Sequence, residues 1–286
     1  MTMTEKSIAA IFDVDGTLLP GTSMEWQLGR YLWKHAGGKG RMLRHWVGGA
    51  VEDLLAGRPM LQSNKGYFRG MDVVRLSQLA QGCFAGEIWP RLSPDGLARL
   101  RWHQQAGHFV ILLSGAPDLL LELLAEHLGV HARIGTMLEV EGRRLTGRIC
   151  GPHPIGPAKI ELARQMSRLG VLSLKRSFAY ADRYSDRFLL DAVGYPIAVN
   201  PDAPLRRLAM AKGWMIEEFT HGKPLDGTDR TAVAEPSQRR GSADPALPAL
   251  LDGLAAGLPG KYSPLERPLA DSSGIDGDDC RTGLCA

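Results

Sequence analysis

Four stretches of the chain are short, nearly unbroken apolar runs: SIAAIFDV (7–14), HFVILLSG (108–115), SFAYAD (177–182) and YPIAVN (195–200). Runs of this length without polar alternation need burial on both faces, which a parallel sheet covered by helices supplies. Between them lie segments with helical spacing of apolar residues: PDLLLELLAEHLG from Pro117, PAKIELARQMSRLG from Pro157 and APLRRLAMAKG from Ala203. The first two open on proline and all three run to glycine, the asymmetry expected of helix starts and stops. Strand alternating with helix predicts an α/β, doubly wound fold, in which ligands sit at the carboxyl ends of the strands.

The alternation is interrupted once. From Thr22 to about Trp89 the pattern is helical throughout (SMEWQLGRYLWKHAG, KGRMLRHWVGGAVEDLLAG, DVVRLSQLAQGCFAG), with no strand between, which reads as a helical insertion after the first strand. EVEGRRLTGRI (139–149) reads as two short strands around Glu141-Gly142, a hairpin appended to the sheet. From about His221 the composition turns to Gly, Pro, Ser and Asp, and a disordered tail is expected there, with at most a short helix in ALPALLDGLAAGL. The expected organisation is a Rossmann-like, three-layer α/β core with a parallel sheet (1–21 and 92–220), an inserted helical cap (22–91) and a low-complexity tail (221–286).

Length and charge narrow the partners. At 286 residues the chain holds one sizeable core and a second module. Its 34 Lys and Arg against 31 Asp and Glu give a net charge of +3, too balanced for the concentrated basic stripe of a nucleic-acid binder. No apolar run reaches the roughly 18 residues of a membrane span. Cys83, Cys150, Cys280 and Cys285 are scattered and no secretory signal is read ahead of them, so a reducing, cytoplasmic setting is expected, without a disulfide framework. A small polar or phosphorylated ligand remains.

The first apolar run ends in DVDGT. Asp13 and Asp15 are two apart, so at an extended strand end their carboxylates share one side. One is placed to attack phosphorus and the other to shuttle the proton of the leaving oxygen and then of water. Two adjacent negative charges repel each other and a phosphate, so this chemistry requires a hard cation such as Mg2+. Asp15-Gly16 is also a strong hairpin signal, and the competing reading is a structural turn. A calcium loop is excluded, because its glycine belongs at the sixth position and Gly16 falls at the fourth.

Three further stretches carry chemistry. VILLSGAPD ends a strand in Ser114-Gly115, where a hydroxyl and a main-chain N–H beside a helix start suit phosphate oxygens; the alternative is a plain strand-to-helix turn. Lys159 falls in the first turn of its helix, the unfavourable end of the macrodipole for a cation, which an anionic partner would offset; the alternative is a solvated lysine. Asp182 and Asp186 follow another apolar strand and either complete a cation site with Asp13 and Asp15 or are surface carboxylates neutralised by Arg183 and Arg187.

In order, Asp13-x-Asp15-Gly16-Thr17-Leu18, Ser114, Lys159, then Asp182 with Asp186 resemble the haloacid dehalogenase superfamily of phosphohydrolases, and within it the phosphoserine phosphatase-like subfamily, whose helical cap lies between the first two motifs. The likeness spans roughly residues 6–217. It implies Asp13 as nucleophile and Asp15 as general acid and base, with Asp13, Asp15 (through its carbonyl) and Asp182 holding Mg2+. It further implies Ser114 and Lys159 on the phosphoryl group and Gly16, Thr17 and Gly115 lining the substrate site. Asp186 would support the metal through water or orient its neighbours. The second aspartate separates phosphatases and phosphomutases from dehalogenases, which lack it.

Two departures from the family pattern matter. Ala181 and Arg183 flank Asp182, and Arg183 would bind phosphate, weaken the metal site or point outward. The glutamate that meets the substrate ammonium in phosphoserine phosphatases, nine residues after the nucleophile, is Thr22 here, with Glu25 one helical turn further on. The expected activity is Mg2+-dependent hydrolysis of a small-molecule phosphomonoester other than phosphoserine. A phosphotransferase or mutase, or a silent phosphate-binding module, stays open as an alternative. In the cap, Trp26, Trp33 and Trp46 are expected in the helix-packing core. Lys34, Lys39, Arg41, Arg44, Arg58, Lys65 and Arg69 are expected on a solvated face, with Arg58 or Lys65 reaching substrate.

Overall fold

The computed structural model describes residues 7–35 and 65–223. The segment expected to form the second cap helix, with Lys39, Arg41, Arg44, Trp46 and Arg58, lies outside the described residues, as do Cys280, Cys285 and the tail beyond Lys223.

The described strands are β1 (Ala9–Phe12), β2 (Phe109–Pro117), β3 (Ala132–Thr136), β4 (Leu138–Glu141), β5 (Arg144–Ile149), β6 (Phe178–Ala181), β7 (Tyr195–Val199) and β8 (Met215–Glu217). Six form one sheet in the order β3-β2-β1-β6-β7-β8, every pair parallel. Strand β1 is central, and the chain fills one side of it with β2 and β3 before crossing to β6, so the sheet has its switch point between β1 and β6. The four apolar runs are all strands of this sheet.

Side chains alternate between two cores, as the pleat requires. Ala10 and Phe12 of β1 join Leu112 and Tyr180 in one, while Ala9 and Ile11 join Ile111 and Ala179 in the other. The helices α1 (Met24–His35), α2 (Val73–Cys83), α3 (Pro94–Gln105) and α4 (Asp118–Leu128) contribute to the first core. The helices α5 (Pro157–Arg168), α6 (Arg187–Ala192) and α7 (Ala203–Lys212) contribute to the second. Burial of apolar side chains on both faces explains the unbroken apolar runs.

Four elements were not legible in the pattern, one of them the six-residue α6. Helix α3 buries only Gly96, Leu100 and His103, too sparse a stripe to show; its start is fixed by Ser93 Oγ, which accepts from Gly96 N at 3.2 Å. Strand β3 carries Arg133 and Gly135, and β8 has three residues.

The insertion is helical at both described ends. Helix α1 buries Met24, Gln27, Leu28 and Leu32, a stripe that packs with Leu76, Leu79, Ala80 and Cys83 of α2. Trp26 and Trp33 stand off that stripe and are 64% and 43% exposed, so the expectation that they belong to the helix-packing core is corrected. The hairpin β4–β5 is antiparallel, as the sequence predicts, but it pairs with the insertion instead of with the sheet. Lys65 N donates to Gly147 O at 2.9 Å, Gly70 N to Leu145 O at 2.8 Å and Val73 N to Arg143 O at 3.0 Å.

Candidate active site

The strand registers bring the expected motif residues together. Phe12 is level with Leu112 of β2 and Tyr180 of β6. Asp13, Ser114 and Asp182 therefore follow one or two residues beyond that level, side by side at the carboxyl end of the sheet. The ladder is prolonged to Asp13, whose N–H donates to Tyr180 O at 3.0 Å.

Beyond Asp13 the chain turns tightly: Gly16 N donates to Leu19 O at 2.9 Å and Leu19 N to Val14 O at 2.9 Å. The Asp-Gly turn is thus real, but it leads into α1 and not into a hairpin. Gly16 has φ +85°, and a β-carbon there would lie 1.9 Å from Asp182 Oδ2. Only glycine allows Asp182 to stand against the turn. Asp15 Oδ1 accepts from Met24 N at 2.8 Å, at the start of α1, where the helix dipole favours a carboxylate.

Lys159 is 3% exposed and sits between two carboxylates, 2.9 Å from Asp13 Oδ1 and 2.7 Å from Asp186 Oδ2. Burial alone would discharge it, yet the two anions raise its pKa above the ordinary lysine value. Asp186 is buried too and also accepts from the Gly156 N–H, so it fixes the ammonium against Asp13. Asp186 is thus in direct contact with Lys159.

The carboxyl of Asp15 is pushed up to about 7 by desolvation, against the Met24 N–H, with the Asp13 charge adding to the rise. Asp182 is pushed up to about 8 by burial and by Asp13. Its Oδ1 is buried with no hydrogen-bond partner among the described residues. Arg183 reaches Asp182 Oδ2 only at 3.7 Å and its side chain is 72% exposed, so the arginine points outward. An orphaned carboxylate oxygen beside a second carboxylate is what an oxygen-seeking divalent cation would satisfy. Among the described residues no three His, Cys, Asp or Glu side chains form a metal cluster, so such a cation would need main-chain oxygen or water besides Asp13 and Asp182.

Ser114 is fully buried, its Oγ accepting from Ala116 N at 3.2 Å, where the register of β2 with β3 shifts. Gly115 is packed under Ile155, whose Cγ1 would stand 2.7 Å from a β-carbon at that position. Thr17 is buried with its hydroxyl unpartnered among the described residues.

Residues of the insertion depart from expectation. Thr22 Oγ1 accepts from Gln27 Nε2 at 2.8 Å. Lys65, expected on a solvated face, is 3% exposed, and its Nζ donates to Glu25 Oε1 at 2.8 Å and Oε2 at 2.6 Å, while the Tyr67 hydroxyl donates to Glu25 Oε1. His153, which carried no motif signal, is within electrostatic reach of both Lys65 and Glu25.

A doubly wound parallel sheet that gathers paired aspartates, a serine and a buried lysine at its switch point is the site of an α/β enzyme fitted to a phosphate group. The chain matches the family model for haloacid dehalogenase-like hydrolases over residues 10–191, and it belongs to that family. It is an enzyme, a phosphatase. It is 33% identical over 235 residues to phosphoserine phosphatase SerB1 of Mycobacterium tuberculosis (strain ATCC 25618 / H37Rv), covering 74% of this chain and 70% of that one. Identity to a histidinol-phosphatase of Neisseria meningitidis serogroup C (strain 8013) is 30% over 148 residues, covering 50% of this chain and 67% of that one. A crystal structure of a protein of unknown function from Bordetella pertussis Tohama I superposes with a TM-score of 0.63 at 26% identity, covering 74% of this chain and 98% of that one.

Proposed function

We propose that the protein hydrolyses a small phosphomonoester through an aspartyl-phosphate on Asp13, in a Mg2+-dependent reaction. The observation that carries this reading is the Lys159 ammonium held against Asp13 Oδ1 by Asp186, with the raised Asp15 carboxyl beside them. A free Asp13 oxygen attacks phosphorus as the bond to the ester oxygen breaks. Asp15, whose pKa of about 7 lets it hold a proton near neutrality, gives that proton to the departing alkoxide. It then takes a proton from water, whose oxygen attacks phosphorus, and phosphate leaves with Asp13 regenerated. Lys159 balances the charge that Asp13 and the phosphoryl group share, and Ser114 with the Gly115 N–H binds the phosphoryl oxygens, with Gly16 and Thr17 lining the other side.

Asp13, Asp182 and the Asp15 carbonyl are the residues that would hold Mg2+, which when bound neutralises the charge between carboxylate and phosphate. The orphaned Asp182 Oδ1 supports that assignment. The outward Arg183 leaves little ground for a silent module. The insertion (22–91), helical at its described ends, serves as a cap over a core of residues 1–21 and 92–220, and the substrate belongs to the cytoplasmic pool.

Phosphoserine is not the preferred substrate. Thr22 provides no charge for an ammonium, and Glu25, one helical turn further on, is already paired with Lys65 and Tyr67. Asp13→Asn should abolish phosphate release from a generic aryl phosphate, and retained turnover would exclude the covalent route.

A further inference from the structure

Beside Ser114 and Gly115 lies a group of polar side chains that the motif residues do not account for. Gly115 O accepts from Thr136 Oγ1 at 2.7 Å, and the same Oγ1 lies 2.6 Å from His153 Nδ1. A threonine hydroxyl has one proton. It must go to Gly115 O, since two oxygens that close without a proton between them would repel. Thr136 Oγ1 is then the acceptor for His153, which fixes the proton on Nδ1.

The other ring nitrogen is left as an acceptor. His153 Nε2 is buried and has no hydrogen-bond partner among the described residues. Burial lowers the pKa of the ring below its ordinary value, Lys65 lowers it further and Glu25 opposes them, so the ring is neutral near pH 7. A buried lone pair without a partner is unfavourable, and a ligand proton would relieve it.

The neighbours decide which proton. Glu25 is in electrostatic reach of both Asp15 and His153, which puts the Glu25–Lys65 pair in the neighbourhood of the reacting carboxyl and the imidazole. An ammonium arriving there meets the Lys65 cation, and the carboxylate that would welcome it already accepts three hydrogen bonds from Lys65 and Tyr67. A neutral hydroxyl meets neither obstacle.

We infer that His153 Nε2 accepts a hydrogen bond from a hydroxyl on the leaving group, making His153 a specificity-determining residue for phosphomonoesters of polyhydroxy alcohols. This rests on the phosphomonoesterase reading above, and it assigns the residue that selects among such esters.

The test compares three-carbon esters of the same chain length that differ in the polar groups of the leaving alcohol: glycerol 1-phosphate with two hydroxyls, n-propyl phosphate with none and 3-aminopropyl phosphate with an ammonium, with an aryl phosphate as reference. The intact protein should prefer glycerol phosphate over propyl phosphate by roughly tenfold or more in kcat/KM, at least the discrimination of one hydrogen bond. His153→Phe should bring that ratio toward one, and His153→Gln, which keeps an acceptor, should restore part of it; the ratio within one variant cancels any general damage to folding. Nitrogen NMR of the imidazole should show the Nδ1–H tautomer. Aryl phosphate hydrolysis with an unchanged ratio in His153→Phe, a preference for the aminopropyl ester, or an Nε2–H ring would each overturn the His153 assignment alone. Failure of the intact protein to hydrolyse the aryl phosphate would overturn the phosphatase mechanism, and this inference with it.

Discussion

Gly16 and Asp182 come from opposite ends of the core sequence and touch: a β-carbon on the glycine would stand 1.9 Å from Asp182 Oδ2. Gly16→Ala must either push Asp182 aside or rearrange the turn, and at φ +85° it also carries a left-handed penalty of about 1–2 kcal/mol. Stability measured by urea unfolding should fall by at least that much. Phosphatase activity should fall by about a hundredfold or more, because the displaced residue belongs to the site. A variant with native stability and turnover would show that the contact is slack.

Lys159 predicts an asymmetry between two substitutions. Lys159→Met leaves Asp13 and Asp186 buried without their cation and should cost about 3–5 kcal/mol, the usual result of removing one partner of a buried pair. Asp186→Asn keeps Asp13 against the ammonium, so its stability loss should be smaller. Its effect should be a reduced kcat with KM near the parent value, because Lys159 is less firmly positioned. Equal losses in the two variants would count against the positioning role.

Asp182 can be tested without turnover. Mg2+ should raise the melting temperature of the intact protein, as any ligand of the native state does. Asp182→Asn should shift the midpoint of that response to at least about tenfold higher Mg2+. Chelation should stop aryl phosphate hydrolysis and added Mg2+ restore it. A thermal shift unaffected by Asp182→Asn would place the cation elsewhere.

His103 predicts an acid-sensitive fold. Its ring is buried, with Nε2 2.7 Å from the Tyr180 hydroxyl and Nδ1 2.8 Å from His108 Nδ1, and burial lowers its pKa from 6.5 to about 3. The unfolded chain therefore binds a proton below about pH 6.5 that the folded chain refuses until about pH 3. Its contribution to stability is complete above pH 6.5 and is lost as pH falls through that window, by up to about 1.4 kcal/mol per pH unit. His108, His131 and His153 are lowered in the same direction and add to the slope. Urea unfolding at pH 7, 6 and 5 should show a shallower decline in His103→Gln than in the parent, and parallel lines would refute the assignment.

The sequence carried the core of the fold because the strands that hold the site are buried on both faces. Ile11 and Phe12 face different cores, so no polar residue interrupts the run before Asp13. Asp13, Ser114 and Asp182 were readable for the same reason: each is the first charged or serine residue after such a run. Elements resting on few buried residues, such as α3 and β8, left no periodic signal. The exposure of Trp26 and Trp33 was hidden because residue type alone does not say which face of α1 meets α2. His153 was invisible for a further reason. Its meaning comes from Thr136 and Gly115, neighbours in space that belong to other elements, and from a tautomer that one hydroxyl proton decides.

The central position of β1 also sets the order in which the molecule can be completed. It is translated first, yet its neighbours β2 and β6 begin about a hundred and about 170 residues later, at Phe109 and Phe178. Both edges of the most buried strand stay unpaired until then, an arrangement that favours slow, late closure of the sheet and exposes a sticky apolar segment on the ribosome. Asp182 and Asp186 enter with that last closure. Asp13 gains its full set of neighbours only when the second half of the sheet has docked, so a chain stopped before β6 has the first half of the site and none of the second.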